Sequence, residues 1–352
     1  RWIIPLENRQ DFLCLHTGQK FAIPFDQFII FATNIEPDKL MDAAFLRRIR
    51  AKVKVNHVSR EQFKEIFRLV CRQHHLDTNG SLLQVGWARQ QTLDCNLENA
   101  RFYALHGLQR FRVKRWDYYA VFTPQRFFSA TVADLGYAGN KFVYTIDFAA
   151  RKMHEESLVV PFGKGVVLPR NSTAGDTHFE NDKAQLDFTL TPGKRHLSVS
   201  WKEFLDGKDL AAEIDLACPD EFESMNIVIP IGRKRFYYNR KINCMPAGGS
   251  ITLGNESETL DPDTCAGSLD WGRGVWEYSS FWNWASASGF LPDGRTVGLN
   301  LGCGFGNLSK AGENALILDN RIHKLEAVPF DYTIGDYMKP WKFTDNEGRL
   351  DL

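Results

Sequence analysis

Residues 184 to 201 read Ala-Gln-Leu-Asp-Phe-Thr-Leu-Thr-Pro-Gly-Lys-Arg-His-Leu-Ser-Val-Ser-Trp. Ala184, Leu186, Phe188 and Leu190 alternate with Gln185, Asp187 and Thr189, and Leu197, Val199 and Trp201 alternate with His196, Ser198 and Ser200. A period of two puts every apolar side chain of an extended segment on one face, so both stretches are half-buried strands. Similar β-rich runs begin at 116 (WDYYAVF), 127 (FFSATVAD), 141 (KFVYTIDFA), 226 (NIVIPI), 296 (TVGLNLG) and 321 (RIHKLE), most of them separated by Gly, Pro, Asn or Asp. No long amphipathic helix interrupts them. Short strands joined by tight turns predict a mainly β, antiparallel barrel or sandwich, as one barrel or a pair, rather than a parallel α/β sheet.

The start of the chain is composed differently. Of 27 glycines only Gly18 lies in residues 1–77, every tyrosine follows residue 100, and eight of nine tryptophans follow residue 80. The 43 Lys and Arg balance 43 Asp and Glu; residues 1–77 carry 13 against 9, net +4, leaving 30 against 34, net −4, for residues 78–352. That balance gives no reason to expect a nucleic-acid partner. Seven cysteines, an odd number without a C-x-x-C pair, predict reduced thiols and a cytoplasmic chain. No segment approaches the ~20 apolar residues of a membrane helix, so no membrane insertion is expected. The first residue is Arg1 rather than Met, and a fragment of a longer chain is expected.

In residues 1–77, Phe28 to Ala32 form an apolar run that ends at Thr33 and Asn34, as in a buried strand. A helix is predicted over DKLMDAAFLRRI, ending in basic residues that include Arg47 and Arg48, and a second from Ser59, with Phe63, Ile66, Phe67 and Val70 on one face. This short α/β segment resembles the C-terminal part of an AAA+ ATPase module: FIIFATN is similar to its sensor-one strand and DAAFLRRIR to its arginine-finger region. The resemblance implies that Asn34 senses a γ-phosphate and that Arg47 or Arg48 reaches a neighbouring subunit's nucleotide. The Walker A loop and the acidic pair of Walker B are both missing, so the segment is read as a truncated one. The alternative for the arginines is a solvated helix end.

Residues 78–352 carry KRWDYYAVFTP, TVADLGYAG, DWGRGVWEYSSFWNWASASG, GRTVGLNLG and an ENAL/HKL run near 313–325. On these motifs the segment resembles the family called domain of unknown function 2804, and by analogy lipocalin-like proteins whose β-barrels enclose apolar ligands. The resemblance also implies a chain that continues past Leu352, leaving a sheet edge open.

Within fifteen positions, Asp270, Trp271, Arg273, Trp276, Tyr278, Trp282, Asn283 and Trp284 gather four indoles with polar groups. On an unbroken strand Trp276, Tyr278, Trp282 and Trp284 share one face and could line an apolar pocket, with Asp270, Arg273, Asn283 and Asn300 as its polar groups. Gly272 and Gly274 are expected to bend the backbone. The alternative is plain core, with an Asp270–Arg273 ion pair supporting a turn. Asp134, with Tyr137 in the same motif, would complete a carboxylate pair with Asp270 or cap a turn. His323 is a proton-transfer candidate or a surface residue. Asp176, His178 and Glu180 lack a second histidine, and no metal or cofactor is expected.

These residues lead to a small hydrophobic ligand as partner, in an aromatic-lined pocket. Two alternatives stand beside it: an isomerase or hydratase with Asp270 as acid and Arg273 orienting it, and an oligomeric ATPase partner supplying an arginine finger. Catalysis and oligomeric state are left open.

Overall fold

Alternating side chains need a neighbour on each edge and a partner layer on one face, and the chain supplies both by antiparallel pairing. The computed structural model describes the backbone of residues 10–14 and 20–24, residues 85–91, 95, 97 and 102, and residues 105–352 apart from 233, 234 and 310. Arg1–Phe67 and Arg68–Leu352 form separate units. In the first, β1 (Gln10–Cys14) and β2 (Lys20–Pro24) make an antiparallel hairpin, Gln10 opposite Pro24. The strand expected at 28–32, both predicted helices, Asn34, Arg47 and Arg48 lie outside the described residues.

The second unit begins with β3 (Gly86–Ala88) and a 3-10 turn at His106–Arg112, followed by β4 (Val113–Phe122), β5 (Arg126–Asp134), β6 (Ala138–Asp147) and β7 (Lys152–Pro161). Next come β8 (Thr177–Glu180), β9 (Ala184–Thr191), β10 (Lys194–Leu205), β11 (Lys208–Ala217), β12 (Met225–Pro230), β13 (Phe236–Leu253) and β14 (Glu256–Leu260). The chain continues through β15 (Ala266–Val275), β16 (Asn283–Phe290), β17 (Thr296–Cys303), β18 (Ala315–Leu318), β19 (Arg321–Lys324), β20 (Phe330–Asp331) and β21 (Lys342–Phe343).

The segment 184–201 is the β9–β10 hairpin, with Leu197 opposite Phe188 and Trp201 opposite Ala184. Its turn is Pro192-Gly193, and Gly193 takes φ +72°, a left-handed value that suits glycine. The large sheet runs β7-β6-β5-β4-β15-β13-β11-β10-β9-β8, with β12 and β14 also on β13 and β3 on β12. It curls as a half-barrel around its own apolar face, because Tyr119, Val121, Phe128 and Val132 from one half share a core with Phe188, Leu197, Trp201 and Ile214 from the other. A second sheet, β16-β17-β18-β19, covers part of the opposite face, where Met225, Ile227, Tyr237 and Cys244 pack with Ala315, Ile317 and Ile322. The fold is therefore mainly β and antiparallel, as the alternation predicts. Strand β15 is enclosed on both faces, and all ten of its residues are buried.

The tryptophan motif is not an unbroken strand. β15 stops at Val275, residues 276–282 leave the sheet, and β16 starts at Asn283, so the rings expected on one face are dispersed. Among the described residues no helix is long and apolar enough to cross a membrane.

Candidate ligand site between the two sheets

Residues directly opposite across a ladder share a face. Asp270 stands opposite Tyr118 on β4 and Lys241 on β13; Arg273 stands opposite Arg115 and Tyr238. Three positions apart on one strand, Asp270 and Arg273 point to opposite faces. Asp270 looks toward the second sheet and Arg273 into the half-barrel core, so they neither pair nor orient one another.

On the Asp270 face, Lys241 Nζ lies 2.7 Å from Asp270 Oδ2 and 3.1 Å from Glu313 Oε2. Asp270 Oδ1 accepts from Asn239 Nδ2 at 2.5 Å and Trp116 Nε1 at 3.2 Å. The Lys241 ammonium also sits 4.4 Å from the Trp284 ring centre, a cation–π contact. Trp284 donates to Asn300 Oδ1 at 2.8 Å, and Asn300 Nδ2 donates to the Glu313 carbonyl at 2.6 Å. Burial alone lowers the Lys241 pKa; Asp270 and Glu313 outweigh it and hold the ammonium above its ordinary value. The cluster has two carboxylates sharing one ammonium, and the field of a second ammonium, Lys324, reaches Glu313.

A wall of rings leads from this cluster toward solvent. Tyr118 meets Trp284 edge to face at 5.5 Å and shares a hydrogen bond with the Tyr144 hydroxyl at 3.0 Å. Burial, with Tyr144 beside it, raises the Tyr118 hydroxyl well above its usual pKa. Tyr144 stacks on Phe127 at 5.4 Å and Phe142 at 6.5 Å, and the β4-β5-β6 register puts these rings on the Asp270 side. Trp284, Tyr144, Phe127 and Phe142 are half-buried. The Asp270 side chain keeps 11% of its surface exposed in mid-sheet, whereas Arg273 keeps 1%.

Around Arg273 itself the opposite face is closed, and its side chain keeps 1% of its surface exposed. Arg273 Nη2 lies 2.9 Å from Asp117 Oδ1, and its guanidinium donates to the carbonyls of Trp116 (2.7 Å), Gly272 (2.9 Å) and Pro169 (2.8 Å). The guanidinium covers the Trp271 ring at 4.2 Å, and Thr177 Oγ1 donates to the other Asp117 oxygen at 2.5 Å. Nearby, Arg195 donates to the Tyr119 hydroxyl at 3.0 Å and the Ser172 carbonyl at 2.7 Å.

A family model described as domain of unknown function (DUF2804) matches residues 67–352. The chain belongs to the DUF2804 family. No curated protein matches it. Among solved structures, an AttH candidate from Nitrosomonas europaea is 14% identical, with a TM-score of 0.41 over 69% of this chain and 75% of its own. Kievitone hydratase from Nectria haematococca is 12% identical, with a TM-score of 0.40 over 76% of this chain and 79% of its own. Likenesses this loose carry neither site nor substrate across. The DUF2804 match starts at residue 67, so the residues that carry the AAA+ resemblance, Asn34, Arg47 and Arg48, lie outside it as well.

In this DUF2804 domain Asp270, Trp284 and Asn300 come together, and Asn283 is half-buried at the start of β16. The other sequence candidates go elsewhere. Trp271 is sealed under Arg273. Trp276 is 3% exposed in a core with Trp116, Tyr237 and Phe305. Trp282 is exposed beside Phe305, and Tyr278 and Tyr137 meet each other at the surface at 5.8 Å. His323 is exposed. Asp134 lies on the Arg273 side of the sheet, opposite Arg115, so no carboxylate pair forms with Asp270. Asp134 instead bonds Arg115 and caps the turn at the Gly136 amide, 2.8 Å away. His178 bonds Asp187 at 2.5 Å. Gly272 does not bend the strand; a Cβ there would lie 2.2 Å from the Trp116 ring, so the missing side chain is what lets the indole reach Asp270.

Four residues of the cluster escaped the sequence reading: Trp116, Asn239, Lys241 and Glu313. Trp116 and Glu313 lie within the quoted motifs KRWDYYAVFTP and ENAL. The signal for Lys241 was a lysine embedded in the otherwise strand-like run FYYNRKINC, residues 236–244.

Proposed function

We propose that this DUF2804 domain binds a small, largely apolar molecule between its two sheets, with the body on Tyr118, Phe127, Phe142, Tyr144 and Trp284 and a polar group turned to Asp270 and Lys241. The observation that carries the reading is the half-buried aromatic wall ending on a buried ion cluster that keeps part of one carboxylate uncovered. Apolar walls with a few placed polar groups are the usual make-up of a small-molecule site. The tryptophans that serve it differ from those the sequence suggested, since Trp284 alone of the four joins the wall.

An isomerase or hydratase reading would need Asp270 to give up a proton. Asp270 is surrounded by donors from Lys241, Asn239 and Trp116, an arrangement that suits an acceptor, and Arg273 cannot orient it. Ligand binding is thus the better-supported reading. The test is uptake of the neutral fluorophore N-phenyl-1-naphthylamine by the whole chain. Saturable binding that falls about tenfold or more in Trp284→Ala and Tyr144→Ala is expected, equivalent to at least ~1.4 kcal/mol. Uptake indifferent to both substitutions overturns the proposal.

A further inference from the structure

A separate cavity of ≈ 520 Å³ opens on the Arg273 side of the large sheet, beside the 3-10 turn. Leu97, Val113 and Phe162 supply apolar wall, and Arg110, Arg115 and Asp134 supply charge. Its volume is in the range of small-molecule sites.

The charges around it do not cancel. Asp134 is occupied, with Oδ2 2.5 Å from Arg115 Nη2 and Oδ1 accepting from the Gly136 amide at 2.8 Å. The buried Lys141 ammonium adds a second cation whose field reaches Asp134. Arg112 is committed to Glu277 at 3.0 Å. Arg110 has no carboxylate partner among the described residues; its guanidinium lies 4.7 Å from the Phe111 ring centre, and Phe111 in turn meets Phe162 of the cavity wall edge to face at 6.2 Å. Gly136 keeps that arrangement tight: its φ is +81°, and a Cβ would fall 2.2 Å from the Arg110 carbonyl oxygen. The turn capped by Asp134 and the backbone of Arg110 can approach this closely because residue 136 has no side chain.

We propose that this cavity is a second site, independent of the one between the sheets, for a small amphipathic carboxylate: the apolar body rests on Leu97, Val113 and Phe162, and the carboxylate meets Arg110. A planar guanidinium with no acidic partner among the described residues, beside an apolar wall, matches that chemistry, because it offers paired N–H donors to both oxygens.

The experiment is calorimetric titration of the whole chain with decanoate and with decanol, which share an apolar chain and differ in charge. Decanoate is expected to bind about tenfold or more tightly than decanol, and Arg110→Gln to remove that advantage while leaving decanol binding and the thermal midpoint unchanged. Arg110 is exposed, so its substitution tests binding without threatening the fold. Trp284→Ala should leave the ratio of decanoate to decanol affinity as it was. Equal affinity for decanoate and decanol, no decanoate binding, or an affinity indifferent to Arg110→Gln overturns the proposal. Loss of the decanoate advantage in Trp284→Ala in place of Arg110→Gln also overturns it, by moving the anion to the other site.

Discussion

On one face of β15, Arg273 meets Asp117 at 2.9 Å and three backbone carbonyls take further N–H groups; on the other, Asp270 meets Lys241 at 2.7 Å and Glu313 adds a second carboxylate. Both pairs are buried, and taking ions out of water costs several kcal/mol apiece unless geometry returns it. The Arg273 side returns it through close pairing, since the guanidinium keeps 1% of its surface exposed and meets one carboxylate and three carbonyls, with its Nε left without a hydrogen-bond partner among the described residues. The Asp270 side is incompletely covered, and a half-buried aromatic wall begins there. One strand thus carries a closed ion pair inside the half-barrel core and a more open one beside the proposed ligand site.

The largest effect is expected where closure is complete. Arg273→Met leaves Asp117 without its cation in the core and should cost about 3 to 5 kcal/mol in urea unfolding. Lys241→Met should cost less, about 2 to 3 kcal/mol, because Asn239 and Trp116 still donate to Asp270, water can reach it, and the Lys324 ammonium still acts on Glu313. If Lys241→Met proves the more damaging of the two, the contrast between closed and open faces fails. The pH dependence provides a second check. Lys241 has a folded pKa raised above 10.5, so its contribution is fully present below that value and disappears only as pH rises through the higher folded value. Titrating the wild-type chain from neutral to about pH 10 should therefore reveal no loss from this group.

A smaller effect, about 1 to 3 kcal/mol, is expected for Gly272→Ala, since the added Cβ must push the Trp116 indole off Asp270. Loss of stability together with a shift in tryptophan emission would report that displacement. Unchanged emission would mean that Trp116 does not lie against residue 272.

How far the sequence announces this arrangement depends on how many faces of a strand are buried. β9 and β10 have one wet face, so Gln185, Asp187, His196 and Ser198 mark it and the hairpin is legible. β15 has none; Ala-Gly-Ser-Leu-Asp-Trp-Gly-Arg-Gly-Val shows no alternation because both sides face protein, and its glycines suggest turns. β13 hides for a related reason, with Arg240 and Lys241 buried among partners that only the fold supplies. Asp270 was conspicuous among the rings, but its cation lies 29 residues earlier and on a neighbouring strand, a pairing fixed by register. The spacing of Asp270 and Arg273 did contain one clue: three positions apart on a strand, they cannot face the same way.

The closed face is not uniformly satisfied, and its weakest point gives the smallest expected effect. Lys141 stands on the Asp117 side of the sheet, fully buried, where its ammonium has the Gly139 carbonyl at 3.4 Å and the Phe179 ring centre at 3.8 Å. Burial lowers its pKa from 10.5 to about 8, against the pull of Asp134. Between those values the unfolded chain holds a proton that the folded chain has released, so Lys141 makes stability increase with pH across that window and penalises the fold below it. Lys141→Met should remove the penalty and stabilise the chain at neutral pH by about 1 kcal/mol, the lost cation–π contact offsetting part of the gain. The gain should shrink as pH approaches 10.5, where both states of the wild-type lysine are neutral. A variant destabilised at neutral pH would show that the Phe179 contact outweighs the desolvation, and that the sealed face tolerates an unpaired cation better than its Arg273–Asp117 pair implies.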